Sequence, residues 1–286
     1  MEEKLMLGKT VAEHLTDNIK VKVEDLKSKN INPKLAILKL GSRKEDDAYQ
    51  RGAISRCEKC GIETEIVELS EQASQEEYIE ALDKLNKDNS IHGILCFRPL
   101  PKHIDEEVVK YHIAENKDVD CFSPINFAKL MSNDETGFAP CTPMAVIETL
   151  KFYKVDLQGK NICVLGRSMV VGKPLSMLLL NEDASVTICH SKTKDLNQIS
   201  SNADIIVSCM GRAKMIDSSY IGTDSIAVDV GINFDKNGKM CGDINLDDVM
   251  DKVSMITPVP RGIGAVTSTI LAQNTLKACM QKNNIK

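Results

Sequence analysis

Tyr49 opens the stretch "AYQRGAISRC" (48–57). An aromatic hydroxyl heading a polar turn can line a ligand cleft, and on a helix the residue four positions further on shares its face. That residue is Ala53, which has no group able to move a proton. A second stretch, "VLGRSMVVGKPLSMLL", offers phosphate chemistry. An apolar strand ends at Gly166, a small-residue turn follows, and Lys173-Pro174 opens an apolar helix, so the N–H groups at the helix start face an incoming anion. Ser168 stands where the G-x-G-x-x-G fingerprint has its second glycine, and Gly172 arrives one residue late. The stretch is either a pyrophosphate cradle or an ordinary strand–turn–helix. The next strand runs out into His190-Ser191-Lys192-Thr193, with no acid to take the ribose hydroxyls, while Arg167 adds a cation in the turn. Such surroundings welcome an extra phosphate and favour NADP over NAD.

Positioning these groups falls to an α/β framework with parallel sheets, because strand-like and helix-like apolar patterns alternate along the chain. In the first half "KLAILKL" (34–40), "TEIVEL" (64–69) and "GILCF" (93–97) read as strands, with helical spacing over about 45–60 and 75–87. "CTPMAVIETLKFYK" opens a helix that links two domains, with Thr142 placed to cap it and Pro143 at its first position. A second series of strands follows at 161–166, 185–190, 204–209, 225–231 and 254–259. "GAVTSTILAQNTLKACMQK" is helical in pattern and is expected to pack back on the first domain. There is no internal repeat, low-complexity tract or long Gly/Ser linker.

A net charge of −5 gives no general attraction for nucleic acid or anionic lipid, and no window approaches the ~18 apolar residues of a membrane span. The reading is a cytoplasmic protein. The ten cysteines are scattered, several within strand-like runs, and read as small buried hydrophobes and not as a disulfide framework. Cys57 and Cys60 form a C-x-x-C without a second pair at zinc spacing, so no metal is assigned.

Six stretches, in order and spacing, carry a specific resemblance: "NKDVDCFSPIN" (116–126), "PCTP" (140–143), "GRSMVVGKP" (166–174), "DVGIN" (229–233), "GD" (242–243) and "ITPVP" (256–260). Across nearly the whole chain the sequence resembles the bifunctional methylenetetrahydrofolate dehydrogenase/methenyltetrahydrofolate cyclohydrolases. The resemblance implies a homodimer of two-domain α/β subunits. Residues 1–141 would bind folate, with the helix at 263–286 packed back on them, and 142–262 would be a Rossmann-like NADP domain across a cleft. It implies that Tyr49 stacks on the folate as the catalytic candidate and that Asp120 holds the pterin amino edge. Pro260 and Gly262 would also meet substrate. Gly166, Arg167, Ser168, Gly172, Ser191 and Ile232 would bind the cofactor, Arg167 and Ser191 at its 2′-phosphate. The alternatives to these roles are a solvated loop aspartate for Asp120 and a structural helix tyrosine for Tyr49.

The departures from the family pattern fall on the folate side. Tyrosine, three residues, lysine becomes Tyr49 to Ala53. Glutamine, leucine, proline, leucine, proline becomes Phe97, Arg98, Pro99, Leu100, Pro101, and P-G-G-V-G-P becomes Pro260, Arg261, Gly262, Ile263, Gly264, Ala265. Hydride transfer formally needs no protein acid or base, and positioning supplies much of its acceleration. Hydrolysis of the methenyl ring must move protons, and losing the tuned group that does so costs about 10²–10⁴-fold. The expectation is an NADP-dependent dehydrogenase whose cyclohydrolase activity is weak or absent. Alternatives are a folate- and NADP-binding protein without turnover, or a dehydrogenase for another substrate in a cleft reshaped by Phe97 and Arg261. Arg98 and Arg261 are candidate electrostatic substitutes, although arginine stays protonated and makes a poor base.

Overall fold

A computed structural model describes residues 2–41 and 44–285, with the backbone alone at residues 2 and 44–48. In chain order its elements are α1 (Gly8–Ser28), β1 (Lys34–Leu40), α2 (Lys44–Cys60), β2 (Glu63–Leu69), α3 (Gln75–Lys87), β3 (Gly93–Cys96), α4 (Glu106–His112), α5 (Pro124–Met131) and α6 (Cys141–Phe152). They continue as β4 (Asn161–Leu165), α7 (Gly172–Asn181), β5 (Ser185–Cys189), α8 (Leu196–Ser201), β6 (Ile205–Ser208), β7 (Ile226–Asp229), β8 (Asn233–Phe234), β9 (Met240–Cys241), α9 (Leu246–Val249), β10 (Met255–Ile256) and α10 (Gly264–Lys282). Two compact units result, one of Glu13–Cys141 with Ser268–Lys286 and one of Met1–Ala12 with Thr142–Thr267. Among the described residues no helix is long and apolar enough to cross a membrane.

The first unit holds a parallel sheet in the order β2-β1-β3. Its central strand, "KLAILKL", is buried on both faces, which is why its apolar run is nearly continuous. The edge strand "ETEIVEL" carries glutamates that reach Lys34 and Lys39 on β1 at 2.5 and 3.0 Å and discourage pairing with another chain. Helix α3 starts at a capping box in which Ser74 Oγ accepts the Glu77 N–H and Glu77 Oε2 accepts the Ser74 N–H. Its Tyr78, Leu82 and Leu85 then recur at helical spacing on the core side, against Leu38 and Ile94. From α10, Asn274 Nδ2 donates to the Val119 and Ala139 carbonyls at 2.8 and 3.2 Å, which fastens the C-terminal helix into this unit.

The second unit holds a parallel sheet in the order β10-β7-β6-β4-β5 and a small β8-β9 hairpin. From β4 the chain moves outward to β5, then returns to β6 on the other side of β4. This reversal makes the gap between the carboxyl ends of β4 and β6 the topological switch point, where open α/β sheets take their ligands.

One expectation is corrected, and the contact-defined units are bounded at other points than the expected domains. By contact the first twelve residues group with the second unit, where Leu5 bridges Ile256 and the Met6 N–H donates to the Ile256 carbonyl at 2.8 Å, lengthening its sheet beyond β10. This unit extends to Thr267. Thr142 is not the cap of α6: the helix begins one residue earlier, where the Cys141 N–H donates to Asp120 Oδ1 at 2.9 Å, and Thr142 and Pro143 lie in its first turn.

Candidate active-site residues

In the first unit, the start of α2 and the end of β3 bring together four of the residues singled out in sequence. The Tyr49 and Phe97 rings lie 5.7 Å apart at 45°. Arg98, next along the chain, has its guanidinium 4.5 Å from the Phe122 ring centroid and 3.8 Å from Asp120 Oδ2. Tyr49 is 36% exposed, whereas Phe97 is 5% exposed and Ala53 is completely buried. The positions of the family's lysine and glutamine are thus occupied by apolar groups removed from water.

The phenol and thiols nearby are shifted towards their protonated forms. Burial, with the charge of Asp120 adding to it, pushes the Tyr49 phenol well above its ordinary range. Burial pushes the Cys57 thiol up to about 12 and the Cys141 thiol well above its ordinary range. Cys57 and Cys60, the C-x-x-C pair, are both buried on α2. Among the described residues no three His, Cys, Asp or Glu side chains group as a metal site would require.

The loop carrying Asp120 is built by its own motif. Lys117 Nζ donates to the Leu85, Asn86 and Asp88 carbonyls at 2.9, 2.8 and 2.7 Å, satisfying the end of α3. Buried Asp118 accepts from the Phe122 and Ser123 N–H groups and from Asn126 Nδ2, all within 2.9 Å. Ser123 caps α5, with Pro124 at the first helical position. This leaves Asp120 between two fixed points. Its Oδ1 accepts from Cys141, so it is no freely solvated loop aspartate.

In the second unit every cofactor candidate follows the carboxyl end of a strand in one sheet: Gly166, Arg167 and Ser168 after β4, Ser191 after β5, Ile232 after β7. Gly166 has φ +135, and a Cβ on it would lie 2.6 Å from Cys209 Sγ, across the switch point. A Cβ on Gly172 would sit 2.2 Å from the Gly166 carbonyl oxygen, so both glycines are required for the turn to close. The late glycine is therefore the first residue of α7. Ser168 replaces a glycine without loss, because its Oγ accepts the Val171 N–H at 3.1 Å. No side chain caps α7. Arg167 is exposed, with no hydrogen bond or ion pair among the described residues. After β5 the His190 N–H donates to Thr193 Oγ1 at 2.9 Å, forming a tight turn that leaves Ser191 and Lys192 exposed. Ile232 is 61% exposed, an apolar side chain left largely uncovered. An open anion cradle, a cation with unspent donors and a bare apolar side chain suit a phosphorylated dinucleotide.

Pro260 and Gly262 lie in this second unit, unlike Tyr49 and Asp120. A Cβ on Gly262 would approach the Pro258 carbonyl oxygen to 2.4 Å. Arg261 between them has φ +86.

Two buried aspartates, Asp229 and Asp243, shape the same edge, a role not evident from the sequence. Asp229 Oδ1 accepts from the Gly231 and Asp243 N–H groups at 3.0 Å, and Oδ2 from the Ile244 N–H at 2.8 Å. Asp243 accepts from Ser208 Oγ, Asn233 Nδ2 and the Met210 and Arg212 N–H groups at 2.7–2.9 Å. A Cβ on Gly231 would strike the Asp243 carboxylate, and one on Gly242 the Asp229 carboxylate. The blocks "DVGIN" and "GD" are thus two halves of one knot that fixes the loops after β6 and β7. The signal available in sequence was a glycine preceding or following an aspartate twice, in apolar surroundings.

The sheet order, the glycine-closed turn at the switch point and the second α/β unit define a two-unit α/β protein of the dinucleotide-binding class. The chain belongs to the tetrahydrofolate dehydrogenase/cyclohydrolase family: residues 6–120 match its catalytic domain and residues 140–283 its NAD(P)-binding domain. Over 280 residues, covering 98% of both chains, it is 55% identical to the bifunctional protein FolD of Clostridioides difficile (strain 630). Its fold matches the bifunctional FolD methylenetetrahydrofolate dehydrogenase/cyclohydrolase of Campylobacter jejuni with a TM-score of 0.95 and 39% identity, over 97% of this chain and 99% of the other. The dehydrogenase-cyclohydrolase of Trypanosoma brucei, solved with NADP cofactor and an inhibitor, matches with a TM-score of 0.92 and 32% identity over 98% of each chain.

Proposed function

We propose that the chain oxidises methylenetetrahydrofolate to methenyltetrahydrofolate with NADP, and that its cyclohydrolase activity is weak or absent. On this reading the unit Glu13–Cys141 with Ser268–Lys286 takes the folate and the unit Met1–Ala12 with Thr142–Thr267 takes NADP. Family likeness supports a homodimer and a cytoplasmic protein. When bound, NADP supplies the hydride acceptor. The chain's own residues do the holding: Gly166, Ser168 and Gly172 shape the pyrophosphate cradle, Arg167 and Ser191 meet the 2′-phosphate, and Ile232 covers an apolar face. Asp120 orients the pterin, Tyr49 lies against it, and Pro260 and Gly262 contribute backbone to the substrate.

The single observation that carries the reading is the contrast between an open cationic turn at Arg167 and the buried, apolar Ala53 and Phe97. Proton transfer in ring hydrolysis needs a group poised near the working pH, and the phenol and thiols around Ala53 are pushed away from it. A second reading, that both steps occur, has the names of the bifunctional relatives in its favour. A folate binder without turnover is the weaker alternative, since a cofactor turn has no use in it. The test gives purified protein methylenetetrahydrofolate and NADP and follows NADPH, then follows methenyltetrahydrofolate decay separately. NADPH with decay at the uncatalysed rate supports the reading; accelerated decay sinks its second half, and absence of NADPH sinks its first.

A further inference from the structure

Arg98 stands where the family pattern has leucine, and its surroundings give it more than a surface role. Its side chain is 24% exposed and that of Asp120 26%. The guanidinium is held by the Phe122 ring face and by the charge of Asp120, at a separation longer than a hydrogen bond. Among the described residues it makes no hydrogen bond, so its N–H donors are unspent although three-quarters of the side chain is withdrawn from water. Asp120 is in the complementary condition, with Oδ1 accepting from Cys141 and Oδ2 turned towards Arg98. The guanidinium nitrogens are not among the buried polar atoms without a partner, so they stay open to a ligand. Side by side, the pair presents an acceptor edge next to a donor edge.

We propose that Arg98 is a specificity-determining residue that reads the 4-oxo group of the pterin while Asp120 accepts from the neighbouring N–H groups. This deepens the folate reading above and rests on it. The pyrimidine edge of a reduced pterin presents an amino group and a ring N–H beside a carbonyl oxygen. A carboxylate accepts from the first two and a guanidinium donates to the third, both as charge-assisted bonds. Replacing the carbonyl by an amino group turns that acceptor into a donor facing Arg98, so the 2,4-diamino form is rejected. A leucine at this position would keep only the part of the preference that Asp120 sets through the ring N–H, which the 2,4-diamino form lacks.

The test compares tetrahydrofolate with tetrahydroaminopterin, and their methylene forms, on the wild type, Arg98→Leu and Arg98→Lys. Equilibrium binding and NADPH formation are both measured. The wild type is expected to favour the 4-oxo compounds about 10- to 100-fold. Arg98→Leu should reduce that preference at least about threefold, leaving the share that Asp120 sets, with the KM for NADP unchanged, and Arg98→Lys should lose less of it. A preference unchanged in Arg98→Leu, or equal losses on both compounds, overturns the proposal. If binding shows the Arg98-dependent preference but no NADPH forms, Arg98 keeps its role and the dehydrogenase reading falls. If NADPH forms with a preference indifferent to Arg98, the dehydrogenase reading stands and this proposal falls.

Discussion

The carboxyl ends of β4 and β3 invite direct comparison, since each closes a parallel strand of an α/β sheet and each bears residues proposed to meet a ligand. After β4 the backbone is drawn tight by two glycines, Arg167 and Ser168 are exposed, and Arg167 has no side-chain partner among the described residues. After β3 the chain turns inward through Phe97, which packs near Tyr49, while Ala53 is sealed from water. One edge is shaped to receive charge, and the other to exclude mobile protons. Binding a phosphorylated cofactor and moving a proton are separable tasks, and different residues can be changed without disturbing both.

The largest effect should come from reversing the difference at β3. Ala53→Lys with Phe97→Gln is expected to accelerate methenyltetrahydrofolate decay by about 10²-fold over the parent. Each single change should give little, because the amine needs the amide beside it. Lysine at a fully buried position also strains its neighbours by about 1–3 kcal/mol, so the double variant should melt below the parent. A parent protein that already catalyses decay at the double variant's rate breaks the comparison. At β4, Arg167→Ala should raise the KM for NADP about 10- to 100-fold, the loss of one charge-assisted bond. The KM for NAD should move little. Equal effects on the two cofactors would mean that Arg167 does not meet the 2′-phosphate.

Much of this was legible because local pattern and local chemistry agree. The run "KLAILKL" is a buried strand, the helical spacing over 75–87 becomes α3, and β4 stops immediately before Gly166, as the pattern implies. What was hidden depended on partners distant in the chain. Nothing near Leu5 signals that it adds to a sheet edge at Ile256. Asp120 caps α6 from across a loop and a helix, which moved the helix start off Thr142. The Asp229–Asp243 knot requires two motifs to meet face to face, and only the fold brings their glycines against the opposing carboxylates. Ala53 was visible as a missing amine, but its complete burial was not, and burial decides how readily a lysine could be restored there.

A smaller, pH-dependent effect separates structural carboxyls from working ones on the nucleotide edge. Burial pushes the Asp229 carboxyl up to about 7, against the lowering by its three backbone N–H donors. A folded value above the unfolded one means that the folded chain binds this proton more tightly. The group's contribution is therefore fully present below about pH 4 and lost as pH rises towards 7, on the order of a few kcal/mol. Asp229→Asn removes that titration, so the stability difference between parent and variant should shrink as pH rises from 4 to 7 in urea melts. A difference that grows over the same range would place the folded value below the unfolded one.

The smallest effect concerns the arginine that could undo the contrast from the other unit. Arg261 has φ +86 where the family pattern has glycine, a conformation that costs an L side chain about 1–2 kcal/mol. Arg261→Gly relieves that strain but gives back roughly half in backbone entropy of the unfolded chain. The net should be a rise in melting temperature of about 1–3 °C. If Arg261 plays no part in proton movement, methenyltetrahydrofolate decay in the presence of the variant should equal that with the parent, and the KM for methylenetetrahydrofolate should stay within about twofold. A variant that is more stable yet slower in that decay would identify Arg261 as the substitute for the missing amine, its strain retained for the charge it brings.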